Sequence, residues 1–354
     1  MSVNTAAAAL PTTDTPMTNA PMSTCFTEDR IDGKAVVSHL NSADLPTGRH
    51  LFYFRPQDMA SGQGWYVPVS VIQGARPGKR LLITSGVHGD ELNGVLCVQQ
   101  LMRELDPAQI SGTITLVSGM NVPGILAGSR DFIPSDPDAS PVNLNRLFPG
   151  DANHPTAAGR YLDALWQHLL TPNADFTLDL HTQTRGAEYP LYVFADYRID
   201  ACVRMAHLMA PDCILDDPGD AGVLETEWNR RNVPCITVEV GTAKRYQPAM
   251  VSRTLQGIYN ILRDQGMLEG NVIAPAAAPM EGKATTTLRA KRSGYALPQV
   301  ILGQQVVAGQ LLAIQWNAFG EEIERYHAPC AGYVLSINSD PLRESGSLLV
   351  RLLH

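Results

Sequence analysis

The spacing of apolar and polar positions changes twice along this 354-residue chain. Residues 31–75 carry short apolar runs at 34–37, 51–54 and 65–72, bounded by turn-forming residues, and read as leading strands. From about residue 79 strands alternate with helices. Residues 80–85 and 113–118 read as strands. Between them Leu92, Val95, Leu96, Val98, Leu101, Met102 and Leu105 recur at helical spacing over 92–105, stopping before Pro107. A second amphipathic helix is expected over 157–170, with Leu162, Leu165, Trp166 and Leu169 on one side. Strands follow at 176–181, 189–194 and 234–240, then a helix over about 247–265. Such alternation predicts an α/β fold, with a mixed, mostly parallel sheet and helices on both faces, over a domain at 31–270.

Two segments break the pattern. Residues 271–283 shift to Ala and Pro and read as a linker. Beyond it helical spacing stops. Gly294, Gly303, Gly309, Gly320, Gly332 and Gly346 punctuate short apolar strands, so 284–354 reads as a small all-β domain. Its stretches 302–314 and 327–334 look like the halves of a biotinyl/lipoyl-type sandwich. A swinging-arm carrier needs a lysine between the halves, and none follows Lys291, so a structural role is expected. At the other end, residues 1–30 are rich in Ala, Thr, Pro and Met. The first 29 lack Lys and Arg, which fits a disordered tail rather than a targeting segment.

A net charge of −8 provides no basic excess for phosphate, so neither nucleic acid nor an anionic membrane is expected as a partner. Apolar runs stay short of the roughly 18–20 residues of a membrane span. The six cysteines (Cys25, Cys97, Cys202, Cys213, Cys235 and Cys330) form no Cys-x-x-Cys pair, and most lie in apolar stretches. They read as small hydrophobes in a reducing compartment, hence a cytoplasmic protein.

The chemistry concentrates at strand ends. His88 and Glu91 lie in Ser85-Gly86-Val87-His88-Gly89-Asp90-Glu91, where an apolar strand runs into a glycine turn. His181 ends a second apolar strand, and Asp179, two residues earlier, shares its face. Two imidazoles and a carboxylate form the protein ligand set of a catalytic zinc with an open position, and strand ends are where open α/β sheets put their sites. A carboxylate such as Asp179 can orient a zinc-bound imidazole. Asn145 and Arg146, within Asn143-Leu144-Asn145-Arg146-Leu147-Phe148-Pro149-Gly150, combine a planar guanidinium fork with neutral donors suited to a carboxylate. Glu239 interrupts the β-branched strand Ile236-Thr237-Val238-Glu239-Val240-Gly241; a carboxylate there is costly unless paired or functional, and beside a metal it would serve as a general base.

In combination these motifs resemble the succinylglutamate desuccinylase/aspartoacylase family of zinc deacylases, relatives of the zinc carboxypeptidases, over residues 79–354. The resemblance implies a zinc-carboxypeptidase-like catalytic fold with one zinc held by His88, Glu91 and His181. It implies Glu239 as general base and then acid, Asn145 and Arg146 on a substrate carboxylate, and Arg130 polarising the scissile carbonyl. This chain departs from the family at Asn143, where aspartate is usual; an asparagine oxygen can still accept from a zinc-bound histidine but brings no charge. The expected activity is hydrolysis of a small N-acyl amino acid or N-acyl amine. The nearest rival is a zinc carboxypeptidase acting on short peptides, disfavoured by the short region between His181 and Glu239 and by the trailing β domain. A non-enzymatic scaffold with a decayed site is a further rival, opposed by the presence of all three ligands and Glu239. Exposed β edges in the last domain would suit a homo-oligomer.

Overall fold

The computed structural model describes residues 22–354. Its strands are β1 (Cys25–Ile31), β2 (Lys34–His39), β3 (Gly48–Phe54), β4 (Val67–Gln73), β5 (Arg76–Ser85), β6 (Ser111–Ser118), β7 (Phe176–Gln183), β8 (Ala187–Glu188), β9 (Leu191–Ala195), β10 (Cys213–Asp216), β11 (Cys235–Thr242) and β12 (Met280–Gly282). All but β8 form one sheet, ordered β1-β2-β3-β4-β6-β5-β7-β11-β9-β10-β12. Its centre, β6-β5-β7-β11, is parallel, whereas β9 runs antiparallel to β11.

Strand alternation buries both faces of this centre. Leu81 and Ile83 of β5 enter one core, and Leu82 the other. Helices α1 (Asn93–Glu104), α4 (Asp200–Leu208) and α6 (Pro248–Asp264) cover the first face through Cys97, Leu101, Met205, Leu255 and Ile258. Helix α3 (Ala157–Leu165), prolonged to Leu170 by a wider π turn, covers the second with α5 (Leu224–Asn229), through Tyr161, Leu162, Trp166 and Trp228. A short helix, α2 (Val122–Ala127), precedes Arg130. The expected mixed sheet with helices on both faces is therefore present. Helices α2, α4 and α5 were not expected; the two of six residues are too short to show a helical period.

Two boundaries differ from expectation. Residues 25–31 are not tail: they pair with β2 as an edge strand, which a stretch poor in apolar residues could not signal. Of the rest of the expected tail, residues 1–21 lie outside the described residues. The linker expected at 271–283 ends in β12, which pairs with β10 and extends the large sheet. Backbone hydrogen bonds across an edge do not depend on side-chain pattern, so composition did not reveal this pairing.

The C-terminal strands are β13 (Thr285–Arg289), β14 (Gly294–Pro298), β15 (Gln305–Val306), β16 (Leu311–Trp316), β17 (Glu322–His327), β18 (Gly332–Asn338), β19 (Leu342–Arg343) and β20 (Leu348–Leu353). They form two antiparallel sheets, β13-β20-β18-β15 and β17-β16-β14-β19, around a core that includes Ala296, Val306, Leu312, Val334 and Val350. Strand β8 adds to this domain by pairing with β18. Among the described residues no helix is long and apolar enough to cross a membrane.

Candidate active site and metal centre

Register brings the chemistry together. In β7, Phe176, Leu178 and Leu180 enter the first core, so Asp179 and His181 face the other way. In β11, Ile236, Val238 and Val240 do the same, which leaves Thr237 and Glu239 beside them. Glu239 pairs with His181, and Thr237 with Asp179, across parallel strands. Thr84 of β5 completes the row opposite Asp179 and donates to its Oδ1 at 2.7 Å.

The turn after β5 supplies His88 and Glu91. Gly86 takes φ +67°, and a Cβ on Gly89 would lie 2.1 Å from the Gly124 carbonyl carbon. This close approach lets Gly89 N–H reach the Arg130 carbonyl at 3.3 Å, which brings the Arg130 segment to the site. The Arg130 guanidinium donates to Glu91 Oε1.

His88, Glu91 and His181 are all buried and offer ligand atoms within 4.8 Å of one another. His88 Nδ1 lies 3.0 Å from Glu91 Oε1, and His181 Nδ1 lies 3.1 Å from both His88 Nδ1 and Glu91 Oε2. Each ring is held from outside: His88 Nε2 donates to Asn143 Oδ1 at 3.0 Å and His181 Nε2 to Asp179 Oδ2 at 2.7 Å. A neutral imidazole has one N–H. With it directed outward, both Nδ1 lone pairs converge on the carboxylate, an arrangement that a cation would satisfy. The separations approach the ~3.3 Å edge of a tetrahedron with ~2.0–2.1 Å zinc bonds. The donor set fits zinc. Asp179 therefore has the orienting contact expected of it, and Asn143 serves His88 in the same way, by a neutral oxygen that also accepts from Asn145 N–H.

Glu239 is 6 % exposed, and its Oε1 accepts from Gln183 Nε2 at 2.8 Å. Its Oε2 is buried without a hydrogen-bond partner among the described residues. Burial, then the Glu91 charge, pushes the Glu239 carboxyl up to about 8 against the pull of His181 and Arg130. Glu91 is different: although burial disfavours its charge, His88 and His181 hold it well below the usual range. A test of the Glu239 environment follows. Its folded value lies above its ordinary 4.5, so the metal-free folded state keeps a proton that the unfolded chain releases. The contribution is full below about 4.5 and is lost as pH rises through about 8. Metal-free wild type should thus lose stability relative to Glu239→Gln across that window, by up to about 1.4 kcal/mol per pH unit. Urea unfolding in chelator at several pH values reads this difference; parallel curves would mean Glu239 holds no such proton.

These groups line one cavity of about 240 Å³ with Arg130, Asn145 and Arg146. All seven residues singled out from sequence thus meet at one place. Asn145 is less free than expected, because its Oδ1 accepts from Leu224 N–H at 2.8 Å at the start of α5. Of the tyrosines that follow the His181 and Glu239 strands, Tyr189 is a core residue, and Tyr246 is exposed and outside the lining. Sequence reasoning missed Gln183, Asp217, Asp220, Glu225, Thr226 and Arg351. Gln183 shares the face of Asp179 and His181 at period two, a usable signal. Arg351 interrupts the apolar strand Leu348–Leu353, and it reaches the cavity from the β domain.

Residues 77–264 match the succinylglutamate desuccinylase/aspartoacylase catalytic domain. An N-alpha-acetyl-L-2,4-diaminobutyric acid deacetylase of Halomonas elongata is 28% identical over 260 residues, 70% of this chain and 73% of that protein. Among solved structures, the product-bound ectoine utilization protein EutE (DoeB) from Ruegeria pomeroyi aligns with a TM-score of 0.77 at 23% identity, covering 87% of this chain and 96% of that one. A succinylglutamate desuccinylase/aspartoacylase from Rhodobacter sphaeroides aligns with a TM-score of 0.75 at 21% identity, covering 87% and 97%. The likeness to these structures extends the shared fold over the β domain as well as the catalytic sheet. With more than half its length matched by the catalytic-domain family, this chain belongs to the succinylglutamate desuccinylase/aspartoacylase family.

Proposed function

We propose that the protein is a zinc-dependent deacylase that hydrolyses the amide bond of a small N-acyl amino acid. The observation that carries this reading is the convergence of two Nδ1 lone pairs and a carboxylate beside the unpartnered Glu239 Oε2. His88, Glu91 and His181 would hold one zinc. Zinc bound there lowers the pKa of water toward neutrality and polarises a carbonyl.

The chain's own residues supply the rest. Glu239 Oε2 accepts the proton of the attacking water and returns it to the leaving amine nitrogen. Gln183 holds the other Glu239 oxygen, so the carboxylate keeps its direction through both transfers. Arg130, already beside Glu91, faces the oxygen that gains negative charge. Arg146 orients the substrate carboxylate, which converts binding energy into positioning. A cavity of about 240 Å³ suits a small substrate better than a peptide. The activity named for the Halomonas elongata relative supports an N-acyl amino acid. The reading carries with it a small-molecule substrate, no nucleic-acid or membrane partner, and a cytoplasmic setting.

Arg351 gives the β domain a part in this reaction. Its Nε donates to Thr287 Oγ1 across β13 and β20 at 3.1 Å, and among the described residues it has no ion-pair partner. The domain has no arm lysine, and we assign it to closing the pocket instead. Arg351→Ala should raise KM for a carboxylate-bearing substrate about tenfold with a smaller change in kcat. An unchanged KM would remove Arg351 from the substrate site.

A product screen tests the whole reading. Zinc-loaded protein is incubated with N-acetyl and N-succinyl amino acids and with short peptides, and products are read by mass spectrometry. Release of a free amino acid from an N-acyl compound supports the deacylase. Trimming of peptides from their C-termini instead would make it a carboxypeptidase.

A further inference from the structure

The central sheet is interrupted directly after Glu239. Strands β7 and β11 pair in register up to Glu239 opposite His181, and pairing resumes at Thr242 opposite Gln183. Between those two pairs β11 advances three residues and β7 two, so β11 carries one extra residue there. Such a bulge leaves the local ladder incomplete and re-aims the side chains beside it.

On the β7 side the metal ligands are fixed. Glu91 Oε2 accepts from Thr182 N–H at 2.9 Å. Helix α1 starts against the same strand: a Cβ on Gly94 would lie 2.8 Å from both Leu180 Cβ and the Leu180 carbonyl oxygen. Glu239 stands across the interrupted ladder, and two side chains bridge the gap. Asn93 Nδ2, at the start of α1, donates to the Val240 carbonyl at 2.9 Å, and Asn93 Oδ1 accepts from Gln247 N–H at 3.3 Å. Gln247 Oε1 in turn accepts from Thr242 N–H at 2.8 Å. Gly241, between these contacts, takes φ +78°, and a Cβ there would lie 2.3 Å from Gln247 Oε1, so only glycine lets the bulge close onto this amide.

Asn93 is 2 % exposed and lies one and two turns before the core residues Cys97 and Leu101 on the inner face of α1. An apolar side chain would cost less there; the amide is explained by the backbone groups it meets across the bulge. Neither Asn93 nor Gln247 lines the cavity. We propose that Asn93 and Gln247 are positioning residues: they clasp the bulge after Glu239 to the helix that follows the His88–Glu91 turn, and so aim Glu239 Oε2 at the metal ligands. The effect on rate rests on Glu239 being the base, whereas the clasp itself does not.

Two substitutions test this. Asn93→Leu is close in size and removes the amide; Gln247→Met does the same at a half-buried position, where folding is at less risk. Zinc-loaded full-length protein is assayed with the N-acetyl and N-succinyl amino acids of the product screen. Each variant should lower kcat by roughly 10- to 100-fold, with KM within about threefold and zinc content unchanged. Placed in Glu239→Gln, the same substitutions should lower the residual rate by less than about twofold, because a group that acts through Glu239 has no base left to aim. An equal fall in both backgrounds would mean a general fold or ligand effect and overturns the positioning role, as does full kcat in both variants. Hydrogen exchange reads the clasp without turnover. The Thr242 and Gln247 amides should exchange about tenfold faster or more in Asn93→Leu, while those of β5 keep their protection. Unchanged exchange at both amides overturns the clasp. Full activity of Glu239→Gln alone, with faster exchange in Asn93→Leu, would instead overturn the base reading and leave the clasp standing.

Discussion

Glu239→Gln is expected to lower kcat by about 10³-fold or more while zinc binds as in wild type. The substitution keeps the shape and the contact with Gln183, but it removes the atom that accepts a proton. Glu239 Oε2 is a buried oxygen on the site face that no described group satisfies, one strand across from His181. A metal analysis and a rate measurement on the same sample decide the matter. Activity retained with zinc bound would move the base elsewhere, and Glu225 is the buried carboxylate besides Glu91 and Glu239 that lines the cavity. Loss of zinc together with activity would mean that Glu239 supports the ligands rather than the proton.

Stripping the metal with a chelator should abolish activity, and adding zinc back should restore it. The same treatment should lower the melting temperature, because anything bound only by the folded state stabilises that state. The expectation comes from the crowding of His88 Nδ1, His181 Nδ1 and the Glu91 carboxylate at 3.0–3.1 Å. Without a cation these lone pairs repel or must share protons. His88→Ala should reproduce the chelated state even in excess zinc, since two remaining protein ligands hold zinc poorly. A chelated enzyme with full activity and an unchanged melting temperature would exclude a metal role for the three residues.

Much of this was legible from local pattern. The turn Gly86–Glu91 follows a buried strand, and the strand ends at His181 and Glu239 carry polar side chains where apolar ones would be cheaper. Such residues announce themselves because an unpaired charge in a strand is costly. The helices over 92–105, 157–170 and 247–265 were legible for a similar reason: long amphipathic periods leave little choice. Strand β1 and strand β12 were not, since edge pairing is a backbone matter. Nor were the acidic residues of the cavity lining. Asp217, Asp220 and Glu225 sit in a loop and a six-residue helix, where charged residues are ordinary and only the position of the loop gives them a cavity to face.

By itself, then, the sequence singled out the candidate ligands and the candidate base, and determined the parallel sheet that carries them and the presence of a trailing β domain, because each rests on periodicity or on a side chain out of place within its own element. Only the tertiary structure decided which nitrogen of each histidine turns inward, that Asn143 steadies His88, that Asn145 is committed to Leu224, and that Arg351 arrives from a strand far along the chain. These are contacts between distant segments, set by sheet register and by the docking of β8 on β18, and no local spacing encodes them.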